Sequence, residues 1–454
     1  MSKYLCLASL LLAVAIVNSL DNPFLSSKTR YCDVGGEIRL KDGYEVTRVL
    51  LYVRHASSSL SDKKKNRELM TRKQDKIREN IKKRQINNPQ LEVPDHIRRF
   101  LEWNPNSLPG LETGLLPVGK QELKDLASRL STKLSGIFGD QDYDAKKFPI
   151  LSMPATEDDD RNVQSARVFL NALFKGGVPD EIPTCADDDL LLMMEYAKTK
   201  DPKLEEHKAK FEKKQEEYKN GDDIKSMSTR FSDKLWLDTK DVDYSCLKGT
   251  WECCREARII TQDNDATPCH LFEEKDAEVM LILDEMFWWW FTSVSESDFN
   301  GKMACGVAEH LLLFLKSEIP INPMYFLNRS NIAMIHQALG LHPKEEKLFT
   351  TSHIMPYMAN FLAVVLEKAG SEKLVAFFFS ENLKTIELDD GTQCEFCSLP
   401  KVIKKLEKYL KTHGCQDLKC EEWKSGDPRP ENFKNDKPFY SIPKDWGFID
   451  GPHN

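Results

Sequence analysis

Apolar and amphipathic stretches alternate along this chain in a way that indicates its fold class. Three short apolar stretches predict strands: TRVLLYV (47–53), FPILSM (148–153) and INPMYFL (321–327). Apolar residues at helical spacing predict helices over residues 118–138, 163–174 and 331–340. Gly340 is placed to cap the last of these helices. Strand, loop and helix repeated with long crossovers predict an α/β fold with a mostly parallel central sheet flanked by helices.

The middle of the chain has a different pattern, with little strand signal and long charged stretches such as LEEHKAKFEKKQEEYKNG (204–221). We interpret residues 185–317 as an all-helical cap domain inserted into the α/β core. The core would then consist of residues 20–184 and of residues 318–454, which include a C-terminal tail. A chain of 454 residues is long enough for this arrangement of a large domain with an insertion.

Residues 1–19 have the features of a secretory signal peptide. Lys3 precedes an apolar run, and small residues stand at Val17 and Ser19. The alternative, an N-terminal core helix, fits less well because polar residues begin abruptly at Asp21. The apolar run is too short for a membrane span, and no later stretch is long and apolar enough. We expect a soluble protein of the secretory pathway, secreted or in the endoplasmic reticulum lumen, without stable membrane insertion.

The charge distribution bears on the partners of the protein. A net charge of −8 argues against a nucleic-acid partner, because such binding requires a broadly basic face. Residues 63–84 nevertheless carry 11 Lys or Arg against 3 Asp or Glu. They form either a solvated helix face or a positively charged lip that attracts phosphate groups.

The 12 cysteines predict disulfide bonds, since an oxidising compartment is expected. Two local loop bridges fit the spacing: Cys415 with Cys420, and Cys269 with either Cys253 or Cys254. The stretch Cys394-Glu-Phe-Cys397 has the spacing of a redox or zinc motif. No second such pair and no paired histidines accompany it, so a structural bridge is the better interpretation. We expect no metal and no cofactor.

Polar residues that suit a phosphate site follow each predicted strand. Arg54-His55 follows the first strand, Arg161 follows the second, and Asn328-Arg329-Ser330 follows the third. Open α/β sheets bind ligands at the carboxyl ends of their strands. Arginines beside a helix N-terminus favour anions. We therefore expect Arg54, His55, Arg161 and Asn328 to converge on one cavity between core and cap.

The order of these features resembles the branch of histidine acid phosphatases that contains multiple inositol polyphosphate phosphatases and phytases. The resemblance covers most of the chain. Its segments are the strand with Arg54-His55, the helix LLPVGKQELKDLASRL, the stretch Arg161-Asn162-Val163-Gln164-Ser165-Ala166, the late strand with its motif, and MPYMANFLAVVLEKAG (355–370). It implies a histidine-phosphatase fold and hydrolysis of phosphomonoesters through a phosphohistidine.

The nucleophile motif of that family, R-H-G-x-R-x-P, is only partly matched. By the resemblance, His55 is the nucleophile, and Arg54 and Arg161 bind phosphate. Ala56 stands where the family has glycine, Ser58 replaces the second arginine, and Leu60 replaces the proline. The four carboxylates of residues 157–160 precede Arg161, where they either repel substrate or form a solvated loop pointing away.

The late motif departs further from the family. FLNRSN aligns with the family's F-G-H-A-E-T, so Asn328 replaces a phosphate-binding histidine and Ser330 replaces the proton-donating glutamate. A second alignment through His353 is rejected because His353 directly precedes MPYMAN, which lies well downstream of the acid motif in the family. Asn328-Arg329-Ser330 is also an N-glycosylation sequon. A pocket-facing Asn328 would be buried and unmodified.

The resemblance with these losses predicts a secreted pseudo-phosphatase that retains an anion pocket for a phosphorylated small molecule, either an inositol phosphate or a sugar phosphate. A first alternative is an active but slow inositol polyphosphate or acid phosphatase with Glu157 or Asp160 as substitute proton donor. A second alternative is a secreted interaction protein whose pocket has no function.

Overall fold

The computed structural model describes residues 28–58, 63–107, 114–153, 160–184, 202–261, 266–292, 298–341 and 350–415. The predicted signal peptide, residues 1–19, lies outside these ranges. The helices are, in chain order, α1 (Lys63–Asn87), α2 (Asp95–Glu102), α3 (Pro117–Lys133), α4 (Ser135–Phe138), α5 (Arg161–Leu173), α6 (Pro202–Lys219), α7 (Asp222–Leu235), α8 (Tyr244–Thr261), α9 (Glu274–Thr292), α10 (Asp298–Met303), α11 (Cys305–Lys316), α12 (Arg329–Ala338), α13 (Thr350–Ile354) and α14 (Leu399–Thr412). The strands are β1 (Glu45–Arg54), β2 (Ile150–Ser152), β3 (Met324–Leu327), β4 (Asn360–Glu367), β5 (Leu374–Phe379), β6 (Asn382–Leu383), β7 (Ile386–Glu387), β8 (Gln393–Cys394) and β9 (Phe396–Ser398).

The central sheet has the strand order β2-β3-β1-β4-β5-β6, with β9 paired to β5. The two pairings of β3, with β1 and with β2, are parallel. Every pairing of β4 and β5 is antiparallel. The α/β class is confirmed, but the prediction of a mostly parallel sheet is wrong, because the sheet is mixed. The parallel part is joined by helical crossovers, whereas a short turn joins β4 to β5, which makes them antiparallel.

Strand β1 lies at the centre of the packing. Its residues Val49, Leu51 and Val53 contribute to a core that includes Leu126 of α3 and Phe169 of α5. The alternate residues Leu50 and Tyr52 contribute to a second core, which includes residues of α11, α12 and α14. Successive side chains of a strand point to opposite faces. An uninterrupted apolar run such as VLLYV therefore fits a strand that is covered on both faces.

The chain divides into two compact units. The helical unit takes the described residues within 59–112 and 212–285, and its secondary structure there is helical. The α/β unit takes those within 26–58, 113–211 and 286–454. The predicted cap, 185–317, overlaps the helical unit over residues 212–285. Within the α/β unit, α11 packs its apolar face on the core that contains Tyr325 of β3.

Three disulfide bonds join Cys254 to Cys269, Cys305 to Cys415, and Cys394 to Cys397. The first agrees with one of the two predicted partners of Cys269, and the third agrees with the predicted structural bridge. The predicted bridge between Cys415 and Cys420 is wrong, because Cys415 is bonded to a residue 110 positions earlier. Both Cys305 and Cys415 are buried in the α/β unit, and this proximity comes from the packing of α11 against α14, which sequence spacing does not encode.

Two features of the described residues bear on partners. None of the helices there is long and apolar enough to cross a membrane. The same residues contain no group of three or more His, Cys, Asp or Glu that could hold a metal ion.

Candidate functional site

The loop that carries His55 is fixed between two neighbouring strands. The His55 backbone N–H donates to Leu327 O at the end of β3 (3.3 Å), and His55 O accepts from the Met358 N–H (3.2 Å) just before β4. Arg54 N–H donates to Ala359 O at 2.8 Å. The main chain therefore sets the position of the histidine at the carboxyl ends of two parallel strands, β1 and β3.

The His55 side chain has a defined tautomer and charge. Its Nδ1 lies 3.0 Å from Ala56 O. A carbonyl oxygen only accepts, so the proton is on Nδ1 and Nε2 carries the lone pair. The ring is buried, and burial, together with the positive charges of Arg54 and Arg161, holds the pKa of His55 well below its usual value. The imidazole is therefore neutral at physiological pH.

Arg54 is buried directly beside this histidine. Its Nη1 donates to Met355 O at 2.7 Å, and its guanidinium lies 4.6 Å from the centre of the Tyr357 ring. Burial lowers the pKa of Arg54 to about 9, and the positive charges of Arg329 and Arg161 contribute to this decrease. Arg54 still carries its charge at neutral pH.

Tyr357 and Lys28 belong to the same cluster, although the sequence did not identify either as a site residue. The Tyr357 hydroxyl is buried and donates to Ser58 O at 3.2 Å. Burial alone would raise its pKa, but the charges of Lys28, Arg54 and Arg161 outweigh burial and lower it. Tyr357 lies in the MPYMAN segment, which was a signal for it. Lys28 precedes every predicted element, so no local pattern pointed to it.

Arg161 reaches the nucleophile loop from the first position of α5. Its Nη1 donates to Ser58 Oγ at 3.2 Å, so the serine at the second arginine's position contacts the third arginine. The preceding Asp160 accepts from Gln164 Nε2 through both carboxylate oxygens, at 2.8 and 2.7 Å. The other proposed substitute donor, Glu157, lies outside the described residues.

The acid-motif position follows β3. Asn328 is the N-cap residue of α12, and its Oδ1 accepts from Asn162 Nδ2 at 3.1 Å. It is half-buried, so the expectation of a buried Asn328 is corrected: its position at the helix start leaves part of the side chain accessible. Ser330 is buried. His353 lies in α13 and is exposed.

The structure thus brings the predicted residues to one edge of the sheet. Backbone bonds join His55 to Leu327, the residue before Asn328, and Arg161 is linked to Ser58 of the nucleophile loop. The charged groups that act most strongly on His55 are Arg54, Arg161 and Lys28, all of them cations. The roles of these residues in binding or catalysis stay predictions.

Comparisons with known proteins show which solved structures have a similar fold. No protein-family model matches the sequence, and no curated protein sequence matches it. Among solved structures, however, the chain is similar to histidine acid phosphatases, and it has their phytase-like α/β fold.

Three solved structures give the extent of the similarity. The phytase from D. castellii has a TM-score of 0.57 and 14% identity, over 86% of this chain and 83% of that chain. The multiple inositol polyphosphate phosphatase from Bifidobacterium longum, in complex with inositol hexasulfate, has a TM-score of 0.53 and 12% identity, over 86% and 97% of the two chains. Its complex with phosphate has a TM-score of 0.51 and 12% identity, over 86% and 97%. At these identities the similarity establishes the fold.

Proposed function

We propose that this is a secreted protein of the histidine-phosphatase fold whose pocket binds a phosphorylated small molecule, an inositol phosphate or a sugar phosphate. Its hydrolysis of phosphomonoesters is impaired. One observation carries this proposal: the charges acting on His55 are cationic, while Asn328 and Ser330 stand where the family motif has a histidine and an acid. The site can attract an oxyanion, but the described residues at the acid-motif position include no group that would protonate the leaving alcohol.

The nucleophile half of the reaction is supported by the state of His55. Its Nε2 lone pair could attack phosphorus, forming a P–N bond while the bond from phosphorus to the leaving oxygen breaks. Arg54 and Arg161 would stabilise the negative charge on the phosphoryl oxygens. Ser58 stands where the family has a further arginine, so this half would keep the nucleophile and two of its phosphate-binding arginines but lack the third.

The leaving-group half has no proton donor at the acid-motif position, where Asn328 and Ser330 stand. An inositol or sugar alkoxide leaves poorly unless an acid protonates it, and a positioned general acid contributes roughly 10²–10⁴ in rate. Asn328 can donate a hydrogen bond but cannot give up a proton at physiological pH, and the hydroxyl of Ser330 is a very weak acid. Cleavage of alkyl phosphates should therefore be slow.

An active but slow phosphatase is the main alternative, and the intact tautomer of His55 favours it. It requires a substitute donor. Asp160 has both carboxylate oxygens engaged by Gln164, so it would have to leave that contact to act. This alternative predicts measurable turnover of inositol phosphates.

Secretion and an inserted cap are parts of the proposal. Three disulfide bonds support an oxidising compartment, since such bonds are rare in the cytosol. The N-terminal pattern of residues 1–19 supports a signal peptide. Helical residues 212–285, which form a unit with 59–112, support a cap whose boundaries differ from 185–317.

The test compares two substrates that differ in their leaving group. Purified mature protein and its His55→Ala variant are incubated with p-nitrophenyl phosphate and with inositol hexakisphosphate. Nitrophenolate leaves without a proton, so we expect a burst of nitrophenol of at most one equivalent, a phosphoryl group trapped on His55, and almost no phosphate from the inositol ester. Both signals should vanish in His55→Ala.

The outcomes separate the alternatives. Steady release of phosphate from the inositol ester, lost in His55→Ala, would establish the slow enzyme. If neither substrate reacts, stabilisation of the protein by inositol hexasulfate in a melting experiment would support a pocket that only binds. Absence of both reaction and stabilisation would establish the interaction protein without pocket function.

A further inference from the structure

Arg329 lies at the centre of the altered motif. In the alignment with F-G-H-A-E-T, Arg329 stands at the alanine, between Asn328 and Ser330. The motif has therefore lost a carboxylate and gained a guanidinium. This exchange makes the carboxyl edge of the sheet more positive than the family pattern does.

The backbone places Arg329 beside the nucleophile loop. It is the first residue of α12, two positions after Leu327, which pairs with Arg54 across the parallel strands. Its guanidinium lies 4.8 Å from the centre of the buried Trp288 ring, and the side chain is half-buried. Stacking on an aromatic ring restricts the orientations of the side chain.

The positive charge of Arg329 also acts on Arg54, the residue before His55. After burial, Arg329 is the largest influence on Arg54, ahead of Arg161. Positive groups that act on one another in this way repel, and a bound anion would offset part of that repulsion.

We propose that Arg329 is a ligand-binding residue of this pocket, which together with Arg54 and Arg161 holds an oxyanion of the phosphorylated ligand. The inference rests on the proposed function and adds one point: the residue that stands within the altered motif strengthens binding. Arginine suits this role because its planar fork donates two hydrogen bonds to one oxyanion.

The test measures binding of inositol hexasulfate, which a phosphatase cannot hydrolyse, by titration calorimetry on the full mature protein. Arg329→Ala should weaken binding roughly 10- to 100-fold, the effect of losing one or two charge-assisted hydrogen bonds. Arg329→Lys should lose less, because it keeps the charge. Arg39→Ala is the matched control, since Arg39 is an exposed arginine of the same unit, and its affinity should stay within about twofold of wild type.

The results distinguish this inference from the proposed function. If Arg54→Ala and Arg161→Ala lose binding while Arg329→Ala keeps it, the role of Arg329 is wrong and the pocket stands. If the wild-type protein does not bind, both are wrong. A structural role through Trp288 would lower the unliganded melting temperature of Arg329→Ala and of Arg329→Lys without changing affinity, which would also overturn the inference.

Discussion

The nucleophile loop after β1 and the acid-motif turn after β3 lie side by side at the same edge of the sheet, yet they differ in what they retain. The nucleophile loop has its main-chain bonds, a neutral histidine and a buried arginine. The turn after β3 keeps the helix start and its N-cap position, but carries Asn328, Arg329 and Ser330. The main chain places both segments at this edge, whereas only the nucleophile loop keeps residues that match the family motif, Arg54 and His55. A shared fold therefore does not imply a shared reaction.

Restoring the acid motif should remove the difference between the two regions, and it has the largest expected effect. We expect Asn328→His with Ser330→Glu to raise cleavage of inositol hexakisphosphate by roughly 10²–10⁴, the contribution of a positioned general acid. Phosphate release measures the rate. The double variant Asn328→His with Ser330→Gln is the control, because it has nearly the same shape without a proton to give.

The rate of that control should stay at the wild-type level. Adding His55→Ala to the restored variant should abolish the gain. A folded Asn328→His/Ser330→Glu protein with no increase would mean that the nucleophile loop is also defective. The difference between the two regions would then not explain the slow reaction.

A second prediction concerns the pH dependence of folding stability, which depends on a buried histidine that packs on β3. His310 of α11 is buried next to Tyr325 of β3, and neither ring nitrogen has a hydrogen-bond partner among the described residues. Burial lowers the pKa of His310 to about 4 from a reference of 6.5. The folded state disfavours the protonated ring, so its stability is intact above pH 6.5 and is lost as the pH falls toward 4.

The expected loss from His310 is about 3 kcal/mol, obtained from the shift at about 1.4 kcal/mol per pKa unit. Denaturant unfolding at several pH values measures it. His310→Gln cannot take up a proton there, so its stability should depend less on pH over this range. Equal slopes in wild type and His310→Gln would contradict this assignment.

The sequence predicted those features of the fold that are encoded within a single segment of the chain. Strands β1, β2 and β3 and the helices α3, α5 and α12 followed from apolar patterns within single segments. The run NFLAVVLE was not assigned as a strand, because a short continuous apolar run does not distinguish a strand from a buried helix. Its antiparallel pairing with β1 was therefore missed.

The same reasoning applies to the site. His55, Arg54 and Arg161 stood in recognisable motifs, but the environment of Arg54 depends on residues far along the chain. Its hydrogen-bond partner Met355 is 301 positions away. Packing between distant segments also places Lys28 and Tyr357 in the site, and of these two only Tyr357 lies in a segment with a sequence signal. Similarly, the bond between Cys305 and Cys415 depends on two helices meeting, which no spacing of cysteines reveals.

The smallest expected effect comes from removing one hydrogen bond in each of the two regions. Tyr357→Phe removes the bond to Ser58 O in the nucleophile loop, and Asn162→Ala removes the bond to Asn328 after β3. Each should cost about 0.5–1.5 kcal/mol of folding stability, measured by denaturant unfolding.

The two variants should differ in their effects on function. Tyr357→Phe should reduce the nitrophenol burst because it loosens the loop that carries His55. Asn162→Ala should leave the burst unchanged, because the acid-motif side contributes no proton to it. A burst that falls equally in both variants would show that the two regions act together rather than separately.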